Sequence, residues 1–281
     1  MADNGKTVGN LNGAASVTHA AQYDTWLPSL DAHYLVQPYW SVYGQYGKGQ
    51  NIPPTSVFDV KNAAVGTLPK PILTNTVQFG SVWKARRATL DVDVYHINFQ
   101  SNYSSTLDPV SGDTVYFLGP ESVTRGIEAE STLLVGGGVA IYLNGTAGSA
   151  KYVTNQQWVQ NAPKDTETIG ITYNLANWNV GLFSKRVGQM YNDNGAIHQA
   201  IAIDPFNITN LFVNYTVRGT SRLAQSKIRL AINNLTDSHA ITAVTLASTA
   251  SNAPSAGDVL TLMAGRSVAV ALTVGVSPRK P

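Results

Sequence analysis

Apolar and polar residues alternate along most of this chain with a period of two, and the i, i+3, i+4 spacing of an amphipathic helix is almost absent. Near the end of the chain, Val268, Val270 and Leu272 share one face, while small residues occupy the other. The same alternation recurs from residue 29 onward. It predicts an all-β protein built from amphipathic strands.

Eleven strands are predicted, and most contain about ten residues or more, against a globular mean of about 5 to 6. They lie at residues 29–36, 39–47, 74–84, 87–101, 122–134, 138–152, 164–174, 177–188, 205–218, 225–236 and 265–276. The connections between them alternate in length. Tight turns at 37–38, 85–86, 136–137, 176 and 218–224 alternate with long loops at 48–73, 102–121, 153–163, 189–204 and 237–264.

In an up-and-down meander, successive connections lie at opposite ends of the sheet, so this alternation places every long loop at the same end. Outer-membrane barrels segregate their loops in this way. The pattern therefore predicts an antiparallel up-and-down transmembrane β-barrel of about 11 strands. Trp40, Trp83, Trp178 and Tyr215 fall near expected strand ends, where an interfacial aromatic girdle would lie.

Composition narrows the class of protein. Charged residues make up 13% of the chain, about half of the roughly 25% that is usual, while 43% of its residues are hydrophobic, so charge-driven disorder is disfavoured. The net charge is only +2 and the basic residues are scattered, which argues against a nucleic-acid partner. The longest apolar stretch, at 132–143, is too short for a membrane helix of about 20 residues. The N-terminus lacks the basic-then-apolar pattern of an export signal.

Several short motifs then point to a family. Residues 125–130 read Arg-Gly-Ile-Glu-Ala-Glu, residues 233–237 read Asn-Asn-Leu-Thr-Asp, and a Gly-Arg-Ser strand opening follows at 265–267. Residues 28–54 resemble a pair of strands before a proline-bearing loop, and residues 77–99 resemble a hairpin. In order and spacing, over about residues 25–276, the chain resembles the β-barrel of TonB-dependent outer-membrane receptors.

The resemblance implies energised uptake of a ferric siderophore or similar bulky nutrient across the bacterial outer membrane. Members of that family carry a plug and a contact motif for the TonB energy-transducing complex ahead of a 22-stranded barrel. This chain shows neither, so it resembles the C-terminal half of such a barrel. The expected organisation is an external-loop remnant at 1–24, the barrel part at 25–277 and a tail at 278–281. The implied partners are outer-membrane lipid, the nutrient, and the TonB complex through a plug absent from this chain.

Alternatives remain open at this stage. A half barrel would leave two unpaired edges, each costing several kcal/mol per unsatisfied backbone group in lipid. The chain is therefore either a piece of a longer polypeptide or a small barrel of about twelve strands that draws one more strand from residues 5–20. The second case would suit a self-contained outer-membrane channel or adhesin. A soluble all-β binding module is a further alternative, because an amphipathic strand looks the same against lipid or a sandwich core.

The sequence predicts no enzyme, metal site or cofactor. The five histidines are well separated, and a polar barrel interior explains the paired carboxylates Asp91/Asp93 and Glu128/Glu130. If the chain binds a ligand, aromatic residues of the long loops are the candidates, because their rings provide contact area at low entropic cost. These candidates are Tyr103, Tyr116, Trp158 and Tyr191.

Overall fold

A computed structural model describes residues 3–8, 18–53, 71–100, 103–107, 114–192, 201–218, 223–245 and 255–275. These residues form strands, turns and irregular connections, and none of them lies in a helix. The described part of the chain thus contains no helix that could cross a membrane. The prediction of an all-β protein is confirmed.

Nineteen strands are present in the described residues. They are β1 (Asp3–Val8), β2 (Thr18–Tyr23), β3 (Ser29–Gln37), β4 (Trp40–Asn51), β5 (Ile72–Lys84), β6 (Ala88–Phe99), β7 (Tyr103–Leu107), β8 (Thr114–Leu118), β9 (Ser122–Gly136), β10 (Val139–Tyr152), β11 (Asp165–Leu175), β12 (Trp178–Val187), β13 (Met190–Asn192), β14 (Ile201–Ile203), β15 (Phe206–Thr216), β16 (Lys227–Asn233), β17 (Ile241–Thr245), β18 (Val259–Leu262) and β19 (Ser267–Thr273).

Eleven of these strands form one antiparallel sheet, in the order β3-β4-β5-β6-β9-β10-β11-β12-β15-β16-β19. They correspond one for one to the eleven predicted strands. The other eight pair as separate hairpins: β1 with β2, β7 with β8, β13 with β14, and β17 with β18. The idea that residues 5–20 supply a twelfth strand is wrong for this structure, because the strands at both ends of that segment, β1 and β2, pair with each other.

Side chains alternate between the two faces along each strand, and register partners share a face. Because the sequence alternates apolar and polar residues, one face of the sheet is apolar and the other is polar. One row of register partners runs across the sheet through seven strands and is entirely apolar: Leu133, Ile141, Ile171, Leu182, Leu211, Ile232 and Val268. Many of these side chains are exposed, including Ile171 at 50% and Val268 at 61%. This row belongs to a wider band of apolar side chains that runs across the same face of the strands, and we call this band the apolar belt.

The tight turns all lie at one end of the sheet and have the backbone geometry that such turns require. Gly136, Gly137 and Gly138 link β9 to β10 with φ values of +126°, +58° and +85°, which glycine adopts without steric cost. Aromatic pairs on the apolar face flank this end: Trp40 stacks on Trp83 with ring centroids 6.4 Å apart, and Trp178 lies 4.8 Å from Tyr215. The predicted girdle residues therefore form two register pairs at the tight-turn end.

The opposite end carries the long connections, two of which pack together. Met190 of β13, Ile203 of β14 and Val244 of β17 form a small buried core, against which Val187 and Phe206 also pack. The hairpins β13–β14 and β17–β18 are thereby joined above β12 and β15. These hairpins were not predicted from the sequence, which indicated only loops at these positions.

Candidate functional site

Two groups of polar side chains in this fold are candidates for a binding site: a cluster among the long connections and a row of carboxylates on the polar face of the sheet. The first contains two of the four predicted ligand-binding residues. Trp158 lies between β10 and β11 and forms an isolated β-bridge with Lys151. Tyr191 is the central residue of β13. Their ring centroids are 6.2 Å apart, so the structure brings these two residues together.

Lys164 completes this group, which we call the loop cluster. Its Nζ donates hydrogen bonds of 2.7 Å to Gln189 Oε1 and of 2.7 Å to Tyr191 Oη. The same ammonium lies 4.8 Å from the Tyr191 ring centroid and 5.7 Å from that of Trp158. Both distances are within the range of a cation–π interaction. Neutral hydrogen-bond partners therefore hold the ammonium beside both aromatic rings.

A second cation adds to the positive charge of the loop cluster. Lys151 Nζ lies 5.9 Å from the Trp158 ring centroid. Among the described residues, both ion pairs involve Arg186. Neither Lys151 nor Lys164 is therefore paired with a carboxylate there. Within the described part of the chain, the loop cluster thus presents two ammonium groups without ion-pair partners beside two aromatic rings. This combination suits an anionic ligand with a planar or aromatic part.

The other two predicted residues lie in the β7–β8 hairpin. Tyr103 is the register partner of Leu118, and Tyr116 is the partner of Ser105. The positions of their side chains lie outside the described part of the structure. Their role in ligand binding therefore stays a prediction. Lys164 was missed, because a single lysine among loop residues carries no distinctive sequence signal.

The second group occupies the polar face of β6 and β9, and we call it the acidic wall. Asp91 lies opposite Glu130, and Asp93 opposite Glu128. Like charges in directly opposed positions repel each other. Among the described residues none of the four carboxylates is in an ion pair, and no three histidine or acidic side chains converge in a metal-binding geometry.

Two tyrosines and an asparagine donate hydrogen bonds to the carboxylates of the acidic wall. Tyr43 Oη donates to Asp91 Oδ1 at 3.2 Å and to Asp93 Oδ2 at 3.4 Å, and Tyr142 Oη donates to Glu130 Oε2 at 3.0 Å. Asn144 Nδ2 lies 3.5 Å from Glu128 Oε1. Asp93 is only 8% exposed, and its Oδ1 has no hydrogen-bond partner within the described structure. Among the residues that the structure describes, the wall therefore has no cationic donor, and a basic partner would supply one.

The Arg-Gly-Ile-Glu-Ala-Glu motif has a physical explanation in this arrangement. Gly126, Glu128 and Glu130 face the polar side of the sheet, whereas Arg125 and Ile127 face the apolar side. A Cβ at Gly126 would lie 2.7 Å from Tyr95 Oη and 2.6 Å from the Ala147 carbonyl oxygen. Glycine is required there because the tyrosine and the neighbouring strand approach so closely.

The Asn-Asn-Leu-Thr-Asp motif anchors the connection that carries β17 and β18. Asn234, which is 1% exposed, donates from Nδ2 to the carbonyl oxygens of Ser238 and Ala264, both at 2.9 Å, and its Oδ1 accepts the Ser238 N–H at 2.9 Å. Asp237 Oδ1 accepts the Arg266 backbone N–H at 2.8 Å. The motif thereby joins the end of β16 to the start of β19.

Asp237 leads to a prediction about pH. The hydrogen bond from the Arg266 backbone lowers the pKa of the Asp237 carboxyl, and the nearby charges of His239 and Arg266 act in the same direction. A lowered pKa in the folded state means that the carboxylate stabilises the fold fully above its unfolded pKa of about 3.9, and that this stabilisation is lost as the pH falls through the lower, folded value.

We therefore expect the native protein to be more stable than Asp237→Asn at pH values above about 4, and this advantage to shrink as the pH falls below about 4. Urea unfolding of both proteins at a series of pH values measures this difference. Asn keeps an acceptor at the same position but cannot titrate, so it serves as the reference. A difference that does not change with pH would contradict the assignment.

Comparison with known proteins agrees with this architecture. Residues 3–235 match the family described as TonB dependent receptor-like, beta-barrel. A search of curated proteins finds no significant match. Solved structures with a similar fold include the copper transporter OprC (16% identity, TM-score 0.68), the ferric yersiniabactin uptake receptor FyuA from Yersinia pestis (15%, 0.65) and the ferric citrate transporter FecA (17%, 0.67).

The similarity covers most of this chain but less than half of each of those proteins. It includes 92% of this chain and 40% of OprC, 90% and 38% for FyuA, and 90% and 38% for FecA. The chain thus spans about two fifths of the length of the structures it matches. At these identities the structural likeness shows the fold alone, whereas the sequence match extends over most of the chain. The chain belongs to the family of TonB-dependent receptor-like β-barrels, a family of outer-membrane transport receptors.

Proposed function

We propose that this chain forms the C-terminal part of the barrel of a TonB-dependent uptake receptor in a bacterial outer membrane. The complete receptor would import a ferric siderophore or a similarly bulky nutrient. The observation that carries the proposal is the eleven-stranded amphipathic sheet of this receptor family, with an exposed apolar belt on one face and a polar opposite face. The belt would meet lipid and the polar face would line the barrel interior.

Strand direction supports the view that further strands complete the barrel. Every neighbouring pair in the sheet is antiparallel, so β3 and β19, the first and eleventh strands of the described sheet, run in the same direction. If β3 paired directly with β19, the barrel would close through a parallel pair of strands. If two copies of the chain closed one barrel together, β19 of each copy would meet β3 of the other, and the barrel would contain two such parallel pairs. An odd number of further antiparallel strands removes the conflict, which favours a longer receptor over a self-contained small barrel.

The acidic wall supports a partner inside the barrel. Its four carboxylates face the proposed interior and lack cationic donors within the described residues, and one oxygen of Asp93 is buried without a partner. A plug that presents basic side chains to β6 and β9 would supply the missing charge. Contact with the TonB complex would take place through that plug.

The loop cluster is the proposed first contact for the nutrient. It lies at the long-loop end, which is the external end in barrels of this kind. Its two ammonium groups and two aromatic rings suit a metal chelate that carries negative charge and flat ligand groups. Trp158 and Tyr191 would provide contact area, and Lys164 would provide a fixed positive charge.

Uptake by cells tests the proposal. A strain lacking the gene is complemented with the native gene or with Lys164→Gln, and the energy-dependent uptake of a panel of radiolabelled ferric chelates is measured. Loss of a charged hydrogen-bonding group costs about 1.5–3 kcal/mol, so we expect the half-saturation concentration of the transported chelate to rise about tenfold or more, with little change in maximal rate.

Lys84→Gln provides the control, because it removes the same charge from an exposed residue at the tight-turn end of β5. It should leave half-saturation within about twofold of the native value. If the native gene restores uptake of no chelate in the panel, the transport proposal fails. If uptake is restored but Lys164→Gln behaves like Lys84→Gln, only the role of the loop cluster is refuted.

A further inference from the structure

Charged side chains on the polar face of the sheet are divided by sign between its two halves. On the six sheet strands from β3 to β10, this face carries the acidic wall and Asp31, and its one lysine or arginine is Lys84 at the tight-turn end. On the five sheet strands from β11 to β19, the described polar-face positions contain no carboxylate. The cations on that half are Lys185, Arg229 and Lys227.

One register row crosses both halves and shows the division. It begins with Asp91 and Glu130, continues through Asn144 and Thr168, and reaches Lys185. Three strand-to-strand steps separate Glu130 from Lys185, which is about 14 Å at about 4.8 Å per step. That separation exceeds the screening length of about 8 Å at physiological ionic strength, so the two signs of charge act separately on whatever fills the interior.

The cations of the second half extend along the strands, and we call Lys185, Arg229 and Lys227 the basic strip. Lys185 lies two residues from the long-loop end of β12, whereas Lys227 and Arg229 lie at the tight-turn end of β16. Asn179 stands in the register row of Arg229, and six residues of β12 separate it from Lys185, so the strip covers about 20 Å of strand. Within the described structure none of its three cations is ion-paired.

The loop cluster lies at the outer end of the same half. Lys164 directly precedes β11 and continues its pairing with β10, because the Gly148 N–H donates to the Lys164 carbonyl oxygen at 3.0 Å. In the alternation of β11, residue 164 falls on the same face as Thr166 and Thr168. Unpaired cations are therefore found on this half from the long-loop end to the tight-turn end.

Two phenylalanine rings occupy the interval between Lys185 and Arg229. Phe183 and Phe212 face the polar side, and their rings stack with centroids 6.1 Å apart and an interplanar angle of 19°. Each ring covers a glycine of the neighbouring strand: a Cβ at Gly170 would lie 2.4 Å from Phe183 Cε1, and one at Gly181 would lie 2.3 Å from Phe212 Cε1. The rings therefore lie along the wall, where flat groups of a ligand could contact them.

We propose that an anionic nutrient passes through the barrel along the basic strip, while the plug is held against the acidic wall. This inference rests on the proposed function and names the part of the wall that the nutrient follows. An anion that leaves the loop cluster would meet unpaired cations at successive levels of this half, whereas the acidic wall would repel it. Phe183 and Phe212 would contact its flat ligand groups between Lys185 and Arg229.

Uptake kinetics in cells test the proposal. A strain lacking the gene is complemented with the native gene, Lys185→Gln or Arg229→Gln, and energy-dependent uptake is measured for radiolabelled ferric chelates of known net charge, ferric citrate among them. For an anionic chelate, we expect each variant to lower the maximal rate about three- to fivefold, the effect of losing one exposed charge contact, and to leave half-saturation within about twofold. Lys185→Arg and Arg229→Lys keep the charge and should keep most of the rate.

Lys84→Gln is the matched control, because Lys84 is also exposed, faces the polar side and has no ion pair in the described structure, but lies on the acidic half. It should leave the maximal rate within about twofold of the native value. Heat-modifiable migration on gels establishes that each variant is folded.

The outcomes separate this inference from the proposed function. If the native gene restores uptake of no chelate, the proposed function fails and the inference fails with it. If uptake is restored, the inference alone is overturned by unchanged rates in Lys185→Gln and Arg229→Gln, by an equal loss in Lys84→Gln, or by transport confined to uncharged or cationic chelates. Vancomycin sensitivity of cells carrying Lys185→Gln would also overturn it, because the basic strip would then hold the plug in place.

Discussion

Replacement of Asn234 by alanine is expected to lower the free energy of unfolding by about 3–5 kcal/mol. The side chain makes three hydrogen bonds of 2.9 Å while being 1% exposed. Alanine would leave the Ser238 N–H and the carbonyl oxygens of Ser238 and Ala264 without these partners. Asn234 also has a φ of +51°, a conformation that alanine adopts at an additional cost.

The neighbouring residue provides the control for this prediction. Asn233 is exposed, and its side chain makes one hydrogen bond, of 3.2 Å to Ser267 Oγ. Asn233→Ala should therefore cost less than about 1 kcal/mol. Asn234→Gly should recover about 1 kcal/mol relative to Asn234→Ala, because glycine removes the backbone cost but not the loss of hydrogen bonds. Urea unfolding followed by tryptophan fluorescence measures all three, and equal losses at positions 233 and 234 would contradict the assigned role.

The main sheet could be predicted from the sequence because one physical constraint acts along the whole of each strand. An apolar belt requires every second residue of a strand to be apolar, so the sequence of each strand shows a period of two. The predicted 122–134 segment and the observed β9, Ser122–Gly136, differ only at the end that enters the glycine turn. The ends of strands are harder to predict, because pairing in some strands continues beyond the belt, as in β4, which extends to Asn51.

The arrangement of the long connections could not be predicted, because it depends on contacts between segments distant in the chain. Met190 and Val244 meet in a buried core although 54 positions separate them, and no local pattern marks either residue. The aromatic ring of Trp158 could be proposed as a contact, but not its position beside Lys164 and Tyr191. Similarly, the motif at 233–237 could be recognised, whereas only the structure distinguishes buried Asn234 from exposed Asn233.

A charge placed in the apolar belt gives the second large effect. Ile171 lies on β11 between its register partners Ile141 and Leu182, and it is 50% exposed on the face assigned to lipid. Arginine at the middle of a membrane belt costs about 2–4 kcal/mol in a β-barrel, so Ile171→Arg should destabilise the folded protein by that amount and reduce the heat-modifiable form in membranes.

Thr172→Arg is the control, because it adds the same side chain one residue away, on the polar face beside Ala140 and Gly181. An arginine there would keep its charge on the face that we propose lines the aqueous interior, so its cost should be below about 1 kcal/mol. The measurement is the urea midpoint of both variants folded in lipid vesicles. If Thr172→Arg were the more damaging change, the apolar face would line the interior instead, and the placement of the belt, the acidic wall and the basic strip would all be reversed.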